Sequence, residues 1–107
     1  MVRNYNEDRV SVLLNAQQRF NEVQKNDIEH FSMFGVYDGH GGAFCCNYLK
    51  ENLHDFLLPK FSNQDIENCI KKCFRELEDS FMKKAQLDYY LDTSGSCALI
   101  VLIIGIF

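Results

Sequence analysis

The feature that most constrains the fold of this chain is residues 33–44, MFGVYDGHGGAF, where an apolar run ends abruptly in glycine. Residues 31–38, FSMFGVYD, are aromatic-rich and mostly apolar, which predicts a strand. From Gly42 onward, apolar residues recur at three- and four-residue steps until Pro59, which predicts an amphipathic helix. The sequence therefore predicts a strand that turns on glycine into a helix.

Two further segments have the patterns of strands. Residues 9–15, RVSVLLN, are apolar at every second position, which is typical of a half-buried strand. The final run, residues 97–107, CALIVLIIGIF, is rich in Ile, Leu and Val and predicts a strand buried on both faces. Residues 15–30 are polar without periodicity, and residues 88–97, DYYLDTSGSC, have the composition of a loop.

A second helix is predicted to begin near Ser62 and to run to about Lys84. Ser62 and Asp65 form a pair similar to a capping box, which favours a helix start at this point. One face of the segment is apolar and is formed by Ile66, Ile70, Cys73, Phe74, Leu77 and Phe81. The order strand, strand, helix, helix, strand predicts an α+β fold with helices packed on a largely antiparallel sheet.

Composition limits the classes of partner. With 11 basic and 15 acidic residues the net charge is -4, which argues against a nucleic-acid or acidic-membrane binder. The longest apolar run is too short to span a bilayer, and no signal or transit peptide is apparent. Five cysteines, an odd count, suggest free thiols in a reducing compartment, so we expect the cytoplasm or the nucleus. Their spacing favours buried small apolar residues over a zinc site.

The glycine-rich turn carries residues suited to metal and proton chemistry. Asp38 ends the predicted strand, and its carboxylate and the Gly39 carbonyl are hard oxygen ligands suited to Mg²⁺ or Mn²⁺. The His40 imidazole can donate a proton. The alternative is that these residues form only a turn, with an exposed loop histidine beside it.

A second acidic pair precedes the first strand. Glu7 and Asp8 follow Arg3 within RNYNEDR, residues 3–9. Carboxylates hold cations and a guanidinium binds phosphate oxygens in a fork, which is the combination that a metal-assisted phosphate reaction needs. Taken alone, a Glu-Asp dipeptide is typical of a solvated surface pair.

Together, three motifs make the chain resemble a known family. RNYNED, then FGVYDGHGG, then SGSCALIVLI resemble the motifs R-x-x-x-E-D, V-[FY]-D-G-H-G-G and S-G-[ST]-T-A of the metal-dependent PPM family, the type 2C protein serine/threonine phosphatases. The resemblance implies a four-layer α-β-β-α sandwich, in which two antiparallel sheets are flanked by helices. Residues 1–107 would be only the N-terminal part of that domain.

The resemblance also implies a binuclear Mg²⁺ or Mn²⁺ centre and assigns residues to it. Asp38 would bridge the two ions, and Glu7 and the Gly39 carbonyl would complete this chain's share of one ion's ligands. Asp8 would accept a hydrogen bond from a water on a metal. A water activated by the two ions would hydrolyse the phosphate ester without a covalent enzyme intermediate.

Substrate contacts follow from the same resemblance. Arg3 would hold the phosphate, and His40 would be the general acid for the leaving seryl or threonyl oxygen. The partners would be phosphoprotein substrates, with neither nucleic acid nor membrane, and the full-length enzyme would be a monomer.

The chain departs from the family by what it lacks. The family's later strands, its Gly-Asp-Ser-Arg motif and two further metal-binding aspartates are absent, so one ion would have only Asp38 from this chain. We therefore expect a fragment that is inactive alone and poorly soluble, because a severed sheet exposes an apolar edge. The alternative is a non-catalytic, phosphatase-like interaction module. A membrane-attached protein that uses the C-terminal apolar run is a weaker third interpretation.

Overall fold

The computed structural model describes residues 7–21, 24, 28–87 and 95–106. Three strands and two α-helices follow one another in the predicted order. They are β1 (Asp8–Leu13), β2 (Ile28–His40), α1 (Phe44–Leu57), α2 (Ile66–Leu87) and β3 (Gly95–Ile106). The α+β class is therefore confirmed, and the described residues supply one sheet and one helix layer.

The sheet is antiparallel, with β2 between β1 and β3. Asp8 stands opposite Asp38 across β1 and β2, and Gly95 stands opposite His40 across β2 and β3. The beginning of β1, the end of β2 and the beginning of β3 consequently meet at one end of the sheet. We call this the carboxylate end; it is formed by Glu7, Asp8, Asp38, Gly39, His40, Gly95, Ser96 and Cys97.

The helices cover one face of the sheet, and the core lies between them. Alternate β2 residues such as Phe31, Met33 and Tyr37 point into this core and are fully buried. Phe31 makes edge contacts with Phe20 and Phe61, with ring centroids 5.1 and 4.9 Å apart. The predicted apolar face of the second helix is confirmed in part by the buried side chains Cys73, Leu77 and Phe81.

The other face of the sheet, which we call the open face, is exposed. It is formed by Asp8, Val10 and Val12 of β1, Phe34, Val36 and Asp38 of β2, and Cys97, Leu99, Val101 and Ile103 of β3. The prediction that the final strand is buried on both faces is wrong for this structure, because helices cover the sheet from one side only. Val10 and Val12 of β1 likewise lie on the open face, while Arg9, Ser11 and Leu13 face the helices.

The turn between β2 and α1 is made by glycine. Gly41 and Gly42 have φ of 68° and 120°, the left-handed region that side chains with a Cβ rarely adopt. The helix begins two residues later than predicted, at Phe44. The strand β2 is longer than predicted and includes Gly39 and His40, so both residues lie on sheet backbone rather than in the turn.

Two glutamine side chains in the polar connection between β1 and β2 make hydrogen bonds to the backbone of the core. Residues Ala16–Arg19 form a 3₁₀ turn, and the Gln17 side chain accepts a hydrogen bond from the Phe31 N–H at 3.1 Å. The Gln24 amide donates to the carbonyls of Leu58 and Phe61, each at 2.9 Å. The Gln24 bonds engage carbonyls just beyond the end of α1, of which that of Leu58 also accepts the Phe61 N–H at 3.4 Å.

The start of the second helix differs from the prediction. The helix α2 begins at Ile66, because Asp65 accepts the first helical bond, from the Cys69 N–H at 3.1 Å. Ser62 makes a turn instead: its hydroxyl accepts from the Gln64 N–H at 3.3 Å. In the part of the chain that the structure describes, neither helix is both long and apolar enough to cross a membrane.

Candidate functional site at the carboxylate end

Two carboxylates lie side by side on the open face at the carboxylate end. Asp8 and Asp38 are Cα partners across β1 and β2, and both residues are exposed. The pair therefore places two hard carboxylate donors at neighbouring positions on one face of the sheet. Strand backbone fixes both positions, which is the rigid placement that a ligand site requires.

Glu7 lies against Gly39 at the same end. The Gly39 N–H donates to the Glu7 carbonyl at 3.1 Å. A Cβ on Gly39 would stand 2.6 Å from that carbonyl oxygen, 2.9 Å from the Cys46 sulfur and 3.2 Å from the Glu7 Cβ. Glycine is therefore needed here for close approach of two backbones, and Gly39 lies outside the left-handed region.

The Glu7 side chain leaves the backbone on the other side from Asp38. Its Cβ lies beside the space that Gly39 leaves on the helix-facing side, and the residue is only 6% exposed. Asp8 and Asp38 belong to the open face. The structure thus brings the backbones of Glu7 and Gly39 together and pairs Asp8 with Asp38.

The histidine is positioned by a second glycine. A Cβ on Gly95 would lie 2.4 Å from the His40 Nε2 and 2.8 Å from its Cε1, so the imidazole occupies the space above Gly95. The neighbouring Ser96 hydroxyl lies 3.2 Å from the Asp38 carbonyl and 2.9 Å from the Cys97 carbonyl, as a donor to either. The start of β3 therefore supports both Asp38 and His40.

A basic residue braces the start of β1. The Arg9 Nε donates to the Asn47 side-chain oxygen at 2.7 Å, and a terminal guanidinium nitrogen donates to the Asp8 carbonyl at 2.8 Å. Asn47 lies in α1, so this residue links the strand that carries Asp8 to the helix that follows the glycine turn.

Near the carboxylate end, the buried Tyr37 side chain of β2 makes a hydrogen bond to β1. The Tyr37 ring lies over Gly35, and its hydroxyl is 2.8 Å from that of Ser11 on β1. Burial raises the pKa of the Tyr37 hydroxyl, an effect that its hydrogen bond with the Ser11 hydroxyl partly opposes. Burial likewise raises the pKa of the Cys73 thiol to about 11, so this cysteine is an inert core residue.

The comparisons with known proteins identify the family. A family profile described as protein phosphatase 2C matches residues 2–105. The chain belongs to the protein phosphatase 2C family. The "Probable protein phosphatase 2C 55" of Oryza sativa is 38% identical over 79 residues, which are 72% of this chain and 20% of that protein. The mouse "Integrin-linked kinase-associated serine/threonine phosphatase 2C" is 35% identical over 82 residues, which are 70% of this chain and 21% of the relative.

A solved structure has the same fold. The structure of a C. elegans sex determining protein matches with a TM-score of 0.72 over 94% of this chain and 24% of its own, at 23% identity. At that identity the match concerns the fold alone. The chain spans about a fifth of the length of the phosphatase 2C relatives described above.

The oxygen donors present are of the kind that phosphatase 2C metal ions would need. The Asp38 carboxylate, the Glu7 carboxylate and the Gly39 carbonyl are hard ligands that suit Mg²⁺ or Mn²⁺. Within residues 7–21, 24, 28–87 and 95–106, however, no group of three or more His, Cys, Asp or Glu side chains lies close enough to hold a metal ion. The donor type fits such an ion, but the described residues do not by themselves form a metal site.

Of the residues that the motifs assigned, Arg3 lies outside the described residues, and the other five lie at the carboxylate end: Glu7, Asp8, Asp38, Gly39 and His40. Their roles toward metal and substrate remain predictions. Sequence reasoning missed Arg9, Gly95 and Ser96 as supports of the carboxylate end. The Ser-Gly-Ser at residues 94–96 was the available signal, since a glycine at the start of an apolar strand indicates close approach of another group.

Proposed function

We propose that this chain provides part of the active site of a metal-dependent protein serine/threonine phosphatase. Membership of the phosphatase 2C family supports phosphatase chemistry. The observation that carries the finer proposal is the cross-strand pairing of Asp8 with Asp38, beside the bonded pair of Glu7 and Gly39. This arrangement concentrates hard oxygen donors at one rigid sheet end.

Each residue of the chain would have a distinct task. Asp38 and the Gly39 carbonyl would hold Mg²⁺ or Mn²⁺ ions, whose chemistry is to acidify a water and to neutralise phosphate charge. The Glu7 carboxylate, which leaves the backbone on the helix-facing side, would join them only around the end of the sheet. Asp8 would accept a hydrogen bond from a water in the site. The His40 imidazole, held over Gly95, would donate a proton to the leaving seryl or threonyl oxygen.

We propose further that the 107-residue chain binds divalent ions weakly and does not turn over phosphate esters alone. A Mg²⁺-type ion needs near-octahedral oxygen ligation, and the described residues offer no group of three ligating side chains. Phosphoprotein would then be held without hydrolysis. That outcome would make the chain, taken by itself, the phosphatase-like interaction module that is the alternative function.

Two measurements on the purified chain test these statements. Mn²⁺ titration followed by electron paramagnetic resonance should show binding that Asp38→Asn weakens at least tenfold, the loss of one charge-assisted ligand. The matched control is Asp79→Asn, which removes an exposed carboxylate from α2. Equal binding by the two variants would show that Asp38 is not a metal ligand.

The second measurement concerns turnover. Hydrolysis of p-nitrophenyl phosphate and of a phosphothreonine peptide, each with Mn²⁺, should not exceed that of the Asp38→Ala control. Turnover by the wild-type chain above that control would contradict the proposed inactivity. Binding of the phosphopeptide without its hydrolysis would favour the interaction module.

A further inference from the structure

The turn that joins β2 to α1 does not by itself fix where the helix begins. Gly41 and Gly42, both in the left-handed region, connect the strand to the helix. Glycine permits many backbone conformations, so such a turn is compatible with several helix positions. The N-cap residue of α1 is Ala43, whose side chain has no oxygen to cap the first turn. The position of the helix start must therefore be set by contacts outside the turn.

Arg9 makes such a contact. Its Nε donates to the Asn47 side-chain oxygen at 2.7 Å, and a terminal guanidinium nitrogen donates to the Asp8 carbonyl at 2.8 Å. Asn47 lies in the first turn of α1, because its N–H donates to the Ala43 carbonyl at 3.0 Å. One planar group thus connects the helix start to the backbone of the strand that carries Asp8. A lysine would not reproduce this, because its ammonium is a point charge without the fixed fork of arginine.

These contacts close a ring around the glycine turn. The chain runs from Asp38 through the turn to Asn47. Arg9 connects Asn47 to the Asp8 carbonyl, and Asp8 is the Cα partner of Asp38 across β1 and β2. We propose that Arg9 is a positioning residue for the proposed metal site, which holds the end of β1 against α1 and so keeps Asp8 beside Asp38. This role rests on the proposed function, and Arg9 fulfils it through the backbone of Asp8.

The charge of Arg9 separates a positioning role from a purely electrostatic one. A guanidinium beside the Asp8 carbonyl repels any cation at the carboxylate end, so its removal alone would tighten metal binding. Loss of a contact that positions the carboxylates would weaken metal binding instead. The two effects have opposite signs in Arg9→Ala, and only the second operates in Asn47→Ala, which leaves the net charge unchanged.

Native-state hydrogen exchange of the full 107-residue chain, followed by NMR without divalent cations, tests whether Arg9 holds the sheet end. The Gly39 N–H, which donates to the Glu7 carbonyl, should exchange about tenfold faster in Arg9→Ala and in Asn47→Ala than in wild type. The Met33 N–H in the middle of β2 should exchange less than about twofold faster. A variant that only lowers global stability would accelerate exchange at Met33 as well.

Mn²⁺ titration followed by electron paramagnetic resonance tests the role toward the metal. Asn47→Ala and the charge-conserving Arg9→Lys should each bind Mn²⁺ about threefold more weakly than wild type, and Arg9→Ala should also bind more weakly although a repelling charge is lost. The matched control is Arg19→Ala, which removes a guanidinium that pairs with Asp55 away from the carboxylate end. It should leave both Gly39 exchange and Mn²⁺ affinity within about twofold of wild type.

Three outcomes would overturn parts of this account, and each is recognised separately. Unchanged Gly39 exchange in Arg9→Ala and Asn47→Ala would overturn the inference, whatever the metal result. Faster exchange with unchanged or tighter Mn²⁺ binding would show that Arg9 only stabilises the sheet end, which also overturns the positioning role. If the wild-type chain binds no Mn²⁺, the proposed metal site is wrong and the positioning role falls with it, while the metal-free exchange rates still show whether Arg9 holds the sheet end.

Discussion

Replacing Gly39 by alanine should separate the two backbones that form the carboxylate end. The new Cβ would stand 2.6 Å from the Glu7 carbonyl oxygen, well inside van der Waals contact. That oxygen also accepts the Gly39 N–H at 3.1 Å, so relieving the overlap stretches or breaks this hydrogen bond. Because the obstacle is backbone, no rotation of a side chain can remove it.

The magnitude follows from three contributions. Overpacking of a well-packed site costs about 2 kcal/mol, and loss of the backbone hydrogen bond adds about 1 kcal/mol. Alanine restricts the unfolded chain and returns about 0.7 kcal/mol. The free energy of unfolding should therefore fall by about 2 kcal/mol, which for a chain of this size lowers the melting temperature by roughly 10 °C.

Thermal and urea unfolding at one fixed protein concentration measure this change. The matched control is Gly105→Ala, the same substitution in β3, where the new Cβ would lie 3.1 Å from the His30 Cβ and 3.6 Å from its backbone nitrogen. This variant should lose less than about 0.5 kcal/mol. In the double variant Gly39→Ala/Cys46→Ala, removal of the sulfur should recover little stability, because the backbone oxygen remains. If Gly39→Ala were as stable as Gly105→Ala, the close-approach argument would be refuted.

Three further predictions concern the core. Gly35→Ala should destabilise the chain by about 2 kcal/mol in urea unfolding, because the Tyr37 hydroxyl oxygen would lie 2.2 Å from the new Cβ. Adding Tyr37→Phe should recover part of this loss, and no recovery would contradict the proposed clash with the hydroxyl. Ser80→Ala removes the hydrogen bond to Tyr48 that joins the two helices and should cost about 1 kcal/mol, measured the same way; no loss would show that the bond does not stabilise the helix pair. Wild type should exceed Cys73→Ala in free energy of unfolding by a constant amount below pH 9, the ordinary pKa of the thiol. This difference should shrink as the pH rises to about 11, because the Cys73 thiol loses its proton first in the unfolded state. A difference in melting temperature that stays constant over this range would refute the prediction.

The helical part of the fold could be predicted well because its signal is long. The apolar face of α2 recurs over five turns, and its central residues Cys73, Leu77 and Phe81 are buried as the period requires. The start of this helix could not be predicted as well, because Ser62 and Asp65 can each cap. In the structure the helix begins after Asp65, whose carbonyl accepts the first helical hydrogen bond.

In the sheet, the alternation of apolar and polar residues did not predict which face is buried. In β1 the alternating pattern separates two faces correctly, yet the apolar Val10 and Val12 are exposed and the polar Ser11 faces the helices. Ser11 is tolerated there because the Tyr37 hydroxyl supplies its partner. Alternation alone cannot show which face receives the helices, since that depends on contacts between residues far apart in sequence.

The residue types of the candidate site could be predicted from the sequence, but several of its contacts could not. The motif around Asp38 placed a carboxylate, a carbonyl and an imidazole at a strand end, and the strand β2 carries all three there. The role of Gly95 depends on the register of β2 and β3, which pairs it with His40 across a long connection. No local pattern specifies that register, so the glycine that accommodates the imidazole could be found only in three dimensions.

The open face and the carboxylate pair constrain each other. Asp8 and Asp38 lie at one end of the surface that continues through Val36 and Leu99, so any surface that packs there must also accommodate two carboxylates at its margin. Covering those carboxylates would cost their desolvation, which is unfavourable. A surface that buries the aliphatic part and leaves the acidic margin in water avoids that cost. If the proposed metal site is correct, cations would bind at the polar end of this surface and an apolar surface would cover its aliphatic part.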